Sequence, residues 1–372
     1  MTILYAVNSL CSGGAEAFAA RLACEMARKP GTEVHLAVYA GIGDSRGAAL
    51  AGELKAGGVT FHDFGLHRNP GKIFLPLRYA ALIRRIRPDL VHTHLDQTDF
   101  FLRAARPLCP DIPFVRTLHS VRFIAALPRF VHRNMALSFD ASVACSEFVR
   151  QRFAFPDLRP RLSVIPNGIR IEEPEPGSRQ TVRKRFGIDD KETVLLMAGS
   201  LLPRLGGFPK AHDLVFRALH ELPGLSCRLL FAGDASNLCR DYAPEHVRDS
   251  RFIFTGIVPD LLPFLSAADL MLAPSRFEGL PLTALEGACQ GLPLVCSDIG
   301  AFDPFRGTGT RICRAGSVES LKSELACAVS HLPELKTEAC KKREWYRQTF
   351  SLTATAERYL RLYERLLTLK KK

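Results

Sequence analysis

The sequence predicts an α/β protein in which two doubly wound parallel sheets follow one another along 372 residues. Short apolar runs alternate with helix-like stretches over most of the chain, which is the pattern of βαβ units. The alternation stops once, at "IPNGIRIEEPEPGS" (165–178), where Pro, Gly and Glu crowd together and no apolar period survives. It then restarts. A chain of this length exceeds one ordinary core, so the seam is read as an interdomain linker. The expected domains span 1–172 and 173–350, with a basic helix over 351–372 packing back toward the first domain.

In the first half the apolar runs Ile3–Val7, Val34–Tyr39, Val59–His62, Leu90–Thr93, Phe114–Leu118, Ala141–Cys145 and Leu162–Ile165 read as strands. Such uninterrupted runs fit parallel strands covered on both faces. Ala15–Arg28, Phe74–Arg87 and Arg129–Ser138 read as the helices between them. In the second half the strands are expected at Val194–Ala198, Arg228–Ala232, Phe252–Thr255, Leu270–Ala273 and Leu292–Cys296. Helices are expected at Ala211–Leu222, Pro259–Ala267, Leu282–Gln290 and Val318–Leu332. Ligands of doubly wound sheets sit beyond the carboxyl ends of the strands. Two such domains are therefore expected to face one central cleft.

Composition narrows the class. Apolar residues make up 47% and charged residues 24%, as in soluble globular proteins. No apolar run reaches the roughly 18 residues that span a bilayer, and Met1–Leu10 reads as a first strand and not as a signal peptide. The eleven cysteines form no C-x-x-C pair, which fits reduced thiols in a cytoplasm; Cys145, Cys227 and Cys296 lie within apolar runs as small core residues. Charge is uneven: residues 1–170 hold 22 bases against 13 acids, and the remainder 28 against 25. One half is thus suited to an anionic partner, with nucleic acid, acidic lipid and a phosphorylated substrate as candidates. A solvated arginine-rich surface carries the same charge.

Three strand-end loops hold candidate binding residues. "NSLCSGGAE" follows the first strand, and its Gly13 and Gly14 open a helix whose N–H groups can approach an anion. It is neither G-x-G-x-x-G nor a P-loop. "GSLLPRLGGFPKAHDL" brings Arg204 and Lys210 onto a loop above the next sheet, where cations suit a diphosphate. "SRFEGLPLTALEGACQ" places Glu278 after a strand, beside the N–H groups that begin a helix, and Glu286 about one turn into that helix. Two carboxylates so placed can hold the hydroxyls of an elongated polyol, with a phosphate at the helix start between them. The apolar surroundings of Glu286 argue against a solvated face. His92 and His94 in "HTH" read as strand-end residues on opposite faces, which argues against a metal pair. No Ser-His-Asp pattern or nucleophile elbow is visible.

"EGLPLTALEGACQGLPLV" resembles the E-x(7)-E signature of the family-4 retaining glycosyltransferases, which have the GT-B fold. "SGGAE", "TLHS" around His119, "VIPNGI" and "FTGIVPDLLPFLSAADLMLAPS" are similar to the same family in the same order, so that the resemblance covers most of the chain. It implies that Glu278, with Gly279 and Leu280, contacts the donor sugar and Glu286 the ribose. It also implies His119 over the transferred sugar, and Gly13, Gly14, Ser200, Arg204 and Lys210 around the diphosphate. The chain departs from the family in two places. Ser200 stands where an Arg is usual, and "GAFDP" replaces the usual GG-PE, leaving the place of that Glu open at Asp303.

The expected activity is transfer of a hexose-like sugar from a nucleotide diphosphate sugar to a glycan or lipid-linked acceptor, with retention, as in polysaccharide and lipopolysaccharide biosynthesis. His119, Glu278 and Lys210 are the expected catalytic residues, and no metal or other cofactor is expected. Arg122, Arg129 and Arg133, with the stripe Leu75, Tyr79, Leu82 and Ile86, are candidate contacts to the acceptor or to an anionic membrane surface. A cytoplasmic protein, peripheral on the inner membrane face, would follow. An epimerase of the same fold would convert donor alone, and an inactive sugar- or nucleic-acid-binding protein would bind without turnover. No aromatic-and-basic motif for nucleic acid is apparent, so nucleic acid is not an expected partner.

Overall fold

A computed structural model describes residues 1–11, 13–66, 70–121, 129–153, 155, 161–201, 207–235, 247–307 and 309–370. The chain forms two compact units, Met1–Gly168 with Phe350–Lys372, and Ile169–Thr349. The first holds β1 (Thr2–Val7), β2 (Glu33–Val38), β3 (Thr60–Asp63), β4 (Leu90–His94), β5 (Phe114–Leu118), β6 (Ala141–Ala144) and β7 (Leu162–Val164). They pair in parallel in the order β3-β2-β1-β4-β5-β6-β7. The order reverses direction between β1 and β4, the switch point where a doubly wound sheet opens a crevice.

β1 and β4 are buried along nearly their whole length because helices cover both faces. One layer buries Leu4, Val91, Phe114, Tyr79, Ile83 and Leu102 together. The helix Leu352–Lys370 belongs to this unit and buries Ala356, Tyr359, Leu362 and Tyr363. Its hydroxyls reach the sheet: the Tyr363 Oη lies 3.1 Å from that of Tyr5 and 2.6 Å from His92 Nδ1. Thr117 Oγ1 lies 2.8 Å from both His92 Nε2 and the Tyr359 Oη.

The second unit holds β8 (Val194–Ala198), β9 (Arg228–Ala232), β10 (Phe252–Gly256), β11 (Leu270–Ala273), β12 (Leu294–Ser297) and β13 (Thr310–Cys313). Their order is β10-β9-β8-β11-β12-β13, again parallel, with the reversal between β8 and β11. Leu195, Met197, Phe216, Phe231 and Leu272 form its core. At the amino ends of β8 and β11, buried Arg183 donates to Asp269 at 2.7 Å, and the same carboxylate accepts from Val194 N at 2.9 Å. This pair holds the sheet at the end remote from the strand termini that matter below.

Several expectations need correcting. β13 was not anticipated, because Thr310 and Arg311 break its apolar run; Arg311 pairs outward with Glu324 at 2.7 Å. β12 begins at Leu294, since Pro293 has no N–H to give the ladder. The helix expected from Ala211 begins at His212, because Ala211 has φ 59, and the one expected from Pro259 begins at Leu262. Helices at Ser45–Ala56 and Asp96–Ala105 complete crossovers that the apolar runs left blank. The stripe Leu75, Tyr79 and Leu82 faces the core of the first unit. It is a packing surface, as helices over a parallel sheet require, and is not available to lipid.

Candidate active site

In the second unit the site grows from the reversal between β8 and β11. β8 ends at Ala198, and Gly199 turns the chain out with φ 138, a value that favours glycine. A β-carbon at Gly199 would stand 3.2 Å from Lys210 Cε, so the bare backbone gives the lysine stem its place. A β-carbon at Gly233, after β9, would collide with the Gly199 carbonyl oxygen, so two backbones meet closely under the turn. Lys210 is followed by Ala211 in the left-handed region, and left-handed non-glycine residues gather at functional sites.

β11 then delivers the carboxylate. Lys210 Nζ donates to Glu278 Oε1 at 2.5 Å, and Ser275 Oγ donates to the same oxygen at 3.0 Å. Ser275 is buried and its carbonyl accepts from Ser297 Oγ at 2.5 Å. Arg276 forks onto Asp213 at 2.6 and 2.7 Å and also donates to the Phe208 carbonyl. That clamp ties the loop after β11 to the helix His212–His220, which begins just after Lys210. Gly279 and Leu280 are buried beside Glu278. Glu286 lies one turn into the helix Leu282–Cys289 and is partly exposed. Ser200 is half-buried beside Gly199, whereas Arg204 lies outside the described residues. Asp303, exposed on the 3-10 turn Gly300–Phe305, pairs with Arg306 at 2.8 Å.

In the first unit His119 stands just past the end of β5. Asn167 Nδ2 lies 3.1 Å from its Nδ1, and His94 Nδ1 lies 2.9 Å from its Nε2. The amide nitrogen can only donate, so His119 Nδ1 accepts and its Nε2 carries the hydrogen toward His94. Phe18, on the helix Gly14–Ala27, meets the His119 ring edge-on at 5.7 Å. Although part of His119 remains exposed, loss of water around the ring pushes its pKa down to about 3. Burial likewise holds His92 and His94 well below the usual histidine range. These two rings sit 4.2 Å apart on one face of β4. They share a face instead of lying on opposite ones as expected, since residues two apart along a strand point the same way. Three of their four ring nitrogens already hold hydrogen bonds within the unit. Leu95, next in the chain, has φ 79.

Gly13 precedes the first residue of its helix with φ −69 and no side-chain cap. A β-carbon there would strike the Glu16 carboxylate, which folds over the helix start. Gly14 is exposed as the first helical residue. Arg122 lies outside the described residues. Arg129 opens the helix Arg129–Leu137, and Arg133 is exposed on it. The structure thus joins Lys210 to Glu278 directly, and places His119, Gly13 and Gly14 in the other unit. Three residues were missed as participants: Ser275, His94 and Asn167. Only their positions after or near strand ends could have marked them.

Comparison with known proteins follows the same division. The model for Glycosyltransferase Family 4 matches residues 12–173, and that for Glycosyl transferases group 1 matches residues 192–331. The UDP-Gal:alpha-D-GlcNAc-diphosphoundecaprenol alpha-1,3-galactosyltransferase of Escherichia coli is 26% identical over 231 residues, covering 59% of this chain and 60% of its own. The chain therefore spans less than two thirds of that relative's length. Among solved structures, a glycosyltransferase from Rickettsia africae superposes with a TM-score of 0.80 at 18% identity, covering 98% of both chains. Anabaena HepE, in complex with UDP-glucose, gives 0.80 at 17%, covering 98% of this chain and 100% of its own. These likenesses establish the fold, two Rossmann-like sheets of GT-B type.

Proposed function

The chain belongs to the family-4 glycosyltransferases, and from this we propose that it transfers a sugar, with retention, from a nucleotide diphosphate sugar to a glycan or lipid-linked acceptor. The observation that carries the reading is the meeting of Lys210 and Glu278 at the strand reversal of the second unit. A cation and a carboxylate on adjacent strand ends suit the two halves of such a donor. Lys210 takes phosphate oxygens and stabilises the charge that builds as the nucleotide diphosphate leaves. Glu278 accepts hydrogen bonds from sugar hydroxyls, and Glu286, one turn into the next helix, accepts them from the ribose hydroxyls. Arg204 is the second candidate cation, at the loop where Ser200 replaces the family's usual Arg. Neutral His119, held by Asn167, orients the sugar. This reading assigns the charge stabilisation to protein cations and helix N–H groups, with no metal.

The acceptor side draws on the first unit, which carries most of the net charge. Residues 70–87 contain five bases and no acid. On the outer surface there, Ile73, Phe74 and Leu77 are 77%, 59% and 57% exposed, next to exposed Arg78, Arg84 and Arg85. Large apolar side chains among bases suit the headgroup layer of an anionic membrane, where a lipid-linked acceptor would be met. The E. coli relative is named for such an acceptor. On the strength of that basic, apolar patch the proposed location is the cytoplasmic membrane surface; no described helix is long and apolar enough to cross a membrane.

The test is a panel of nucleotide sugars, scored for donor cleavage with and without polyprenyl-diphosphate sugars, with the product anomer read by NMR. Cleavage of one donor and an acceptor product of unchanged anomeric configuration is expected. Conversion of donor to its epimer without acceptor would replace the reading, as would binding with no turnover on any donor.

A further inference from the structure

The Lys210–Glu278 pair has a consequence beyond its two separate roles. We propose that Glu278 is the resting counter-ion of Lys210, and that this pair makes the site select an intact nucleotide diphosphate sugar over the bare nucleotide diphosphate. The inference rests on the donor site proposed above. Its basis is that the cation meant for a diphosphate is already spent: Lys210 Nζ lies 2.5 Å from Glu278 Oε1, with the carboxylate mostly buried. The pair is held from several sides. Ser275 Oγ donates to the same oxygen at 3.0 Å, and Gly199 leaves a channel for the lysine stem. Neither partner can swing away without losing those contacts.

A phosphate oxygen that takes Lys210 leaves Glu278 short of its cation, in a place where water is scarce, and adds a second anion nearby. That is costly for a half-desolvated carboxylate. The two classes of ligand then differ. An intact donor brings sugar hydroxyls that donate to Glu278 and replace the lost ammonium bonds. A released nucleoside diphosphate brings the charge and no such donor. The pair therefore opposes product more than substrate, and re-forms as the product leaves. The opposition is electrostatic and local, and needs no movement of the backbone.

The experiment compares Glu278→Gln, Lys210→Met and the parent by calorimetry with UDP, ADP, GDP and inorganic pyrophosphate, and with the intact donor identified by the panel. Thermal unfolding of each variant checks its fold, and the near-isosteric amide of the first keeps the shape. Glu278→Gln is expected to bind the preferred bare diphosphate about tenfold more tightly, the equivalent of roughly 1.4 kcal/mol. Its preference for intact donor over diphosphate should shrink by a similar factor. Lys210→Met should weaken both ligands. If Lys210→Met weakens the diphosphates but Glu278→Gln binds them equally or less tightly, the counter-ion proposal is overturned while the donor site stands. If Lys210→Met changes no affinity, the donor-site reading itself is overturned.

Discussion

His119 should remain neutral throughout the physiological range, and replacing it should make the first unit less sensitive to acid. The free ring has a pKa of 6.5, and desolvation lowers it to about 3 in the fold. Each pKa unit is worth about 1.4 kcal/mol, so the charged ring is disfavoured by about 5 kcal/mol. The folded value is depressed, so the unfolded chain takes up the proton first. Stability is unaffected above pH 6.5, falls as the pH drops from 6.5 toward 3, and changes no further below. At pH 5 the loss from this one ring is about 2 kcal/mol, from RT ln(1 + 10^1.5). His119→Gln removes the titrating group and keeps polar atoms near Asn167 and His94. The assay has two parts. The imidazole signals of parent and variant, followed by NMR from pH 8 to 4, identify the His119 resonance and show whether it moves. Amide exchange in β4 and β5 at pH 7.5 and 5.0 then reports the opening free energy of the unit. A His119 resonance that titrates between pH 6 and 7 would refute the reasoning, as would an equal acid response in the variant.

Glu286→Ala should weaken binding of the bare nucleoside diphosphate by roughly 1.5–3 kcal/mol, the usual worth of hydrogen bonds to a charged group; calorimetry matching the parent would remove its ribose role. Gly233→Ala sets a β-carbon against the Gly199 carbonyl, and should cost about 1–3 kcal/mol of stability as well as donor affinity. A melting curve and donor titration both equal to the parent's would mean that the two backbones separate freely. Sedimentation with anionic but not neutral vesicles is expected, reversed by salt, and replacing Ile73, Phe74 and Leu77 by Ser should abolish it. Arg129→Glu with Arg133→Glu should weaken it while leaving donor cleavage intact. Equal binding to both kinds of vesicle, or to neither, would leave a soluble acceptor as the better reading.

The two sheets were legible because parallel strands buried on both faces leave continuous apolar runs, and those of β5, β8, β9 and β11 match residue for residue. One edge was not: β13 opens on two polar residues, Thr310 and Arg311, leaving only Ile312 and Cys313 as an apolar run, and it carries an outward ion pair. Lys210 and Glu278 could be placed near strand ends from the runs before them. Their contact could not, since 68 positions separate them and only the reversal of strand order brings β8 beside β11. The same holds for His119 with His94, 25 positions apart, and with Asn167, 48 apart. A strand's own period relates neighbours within it and is silent on which strand lies alongside. Even that period was misapplied to His92 and His94, whose shared face is what lets His94 reach His119.

The helix Leu352–Lys370 also bears on the order in which the protein is made. Tyr5 meets Tyr363 across 358 positions, His92 meets Tyr363 across 271, and Thr117 meets Tyr359 across 242. At about 5–20 residues per second, a ribosome takes roughly 10–40 s to travel from the end of β7 to Tyr363. During that interval the first sheet exists with His92, Thr117 and Tyr5 lacking their buried hydroxyl partners, and with the apolar surface meant for Tyr359 and Leu362 uncovered. The second unit is one continuous stretch, Ile169–Thr349, and waits for nothing. The unit begun first is completed last, and its nascent form is the one a chaperone would meet.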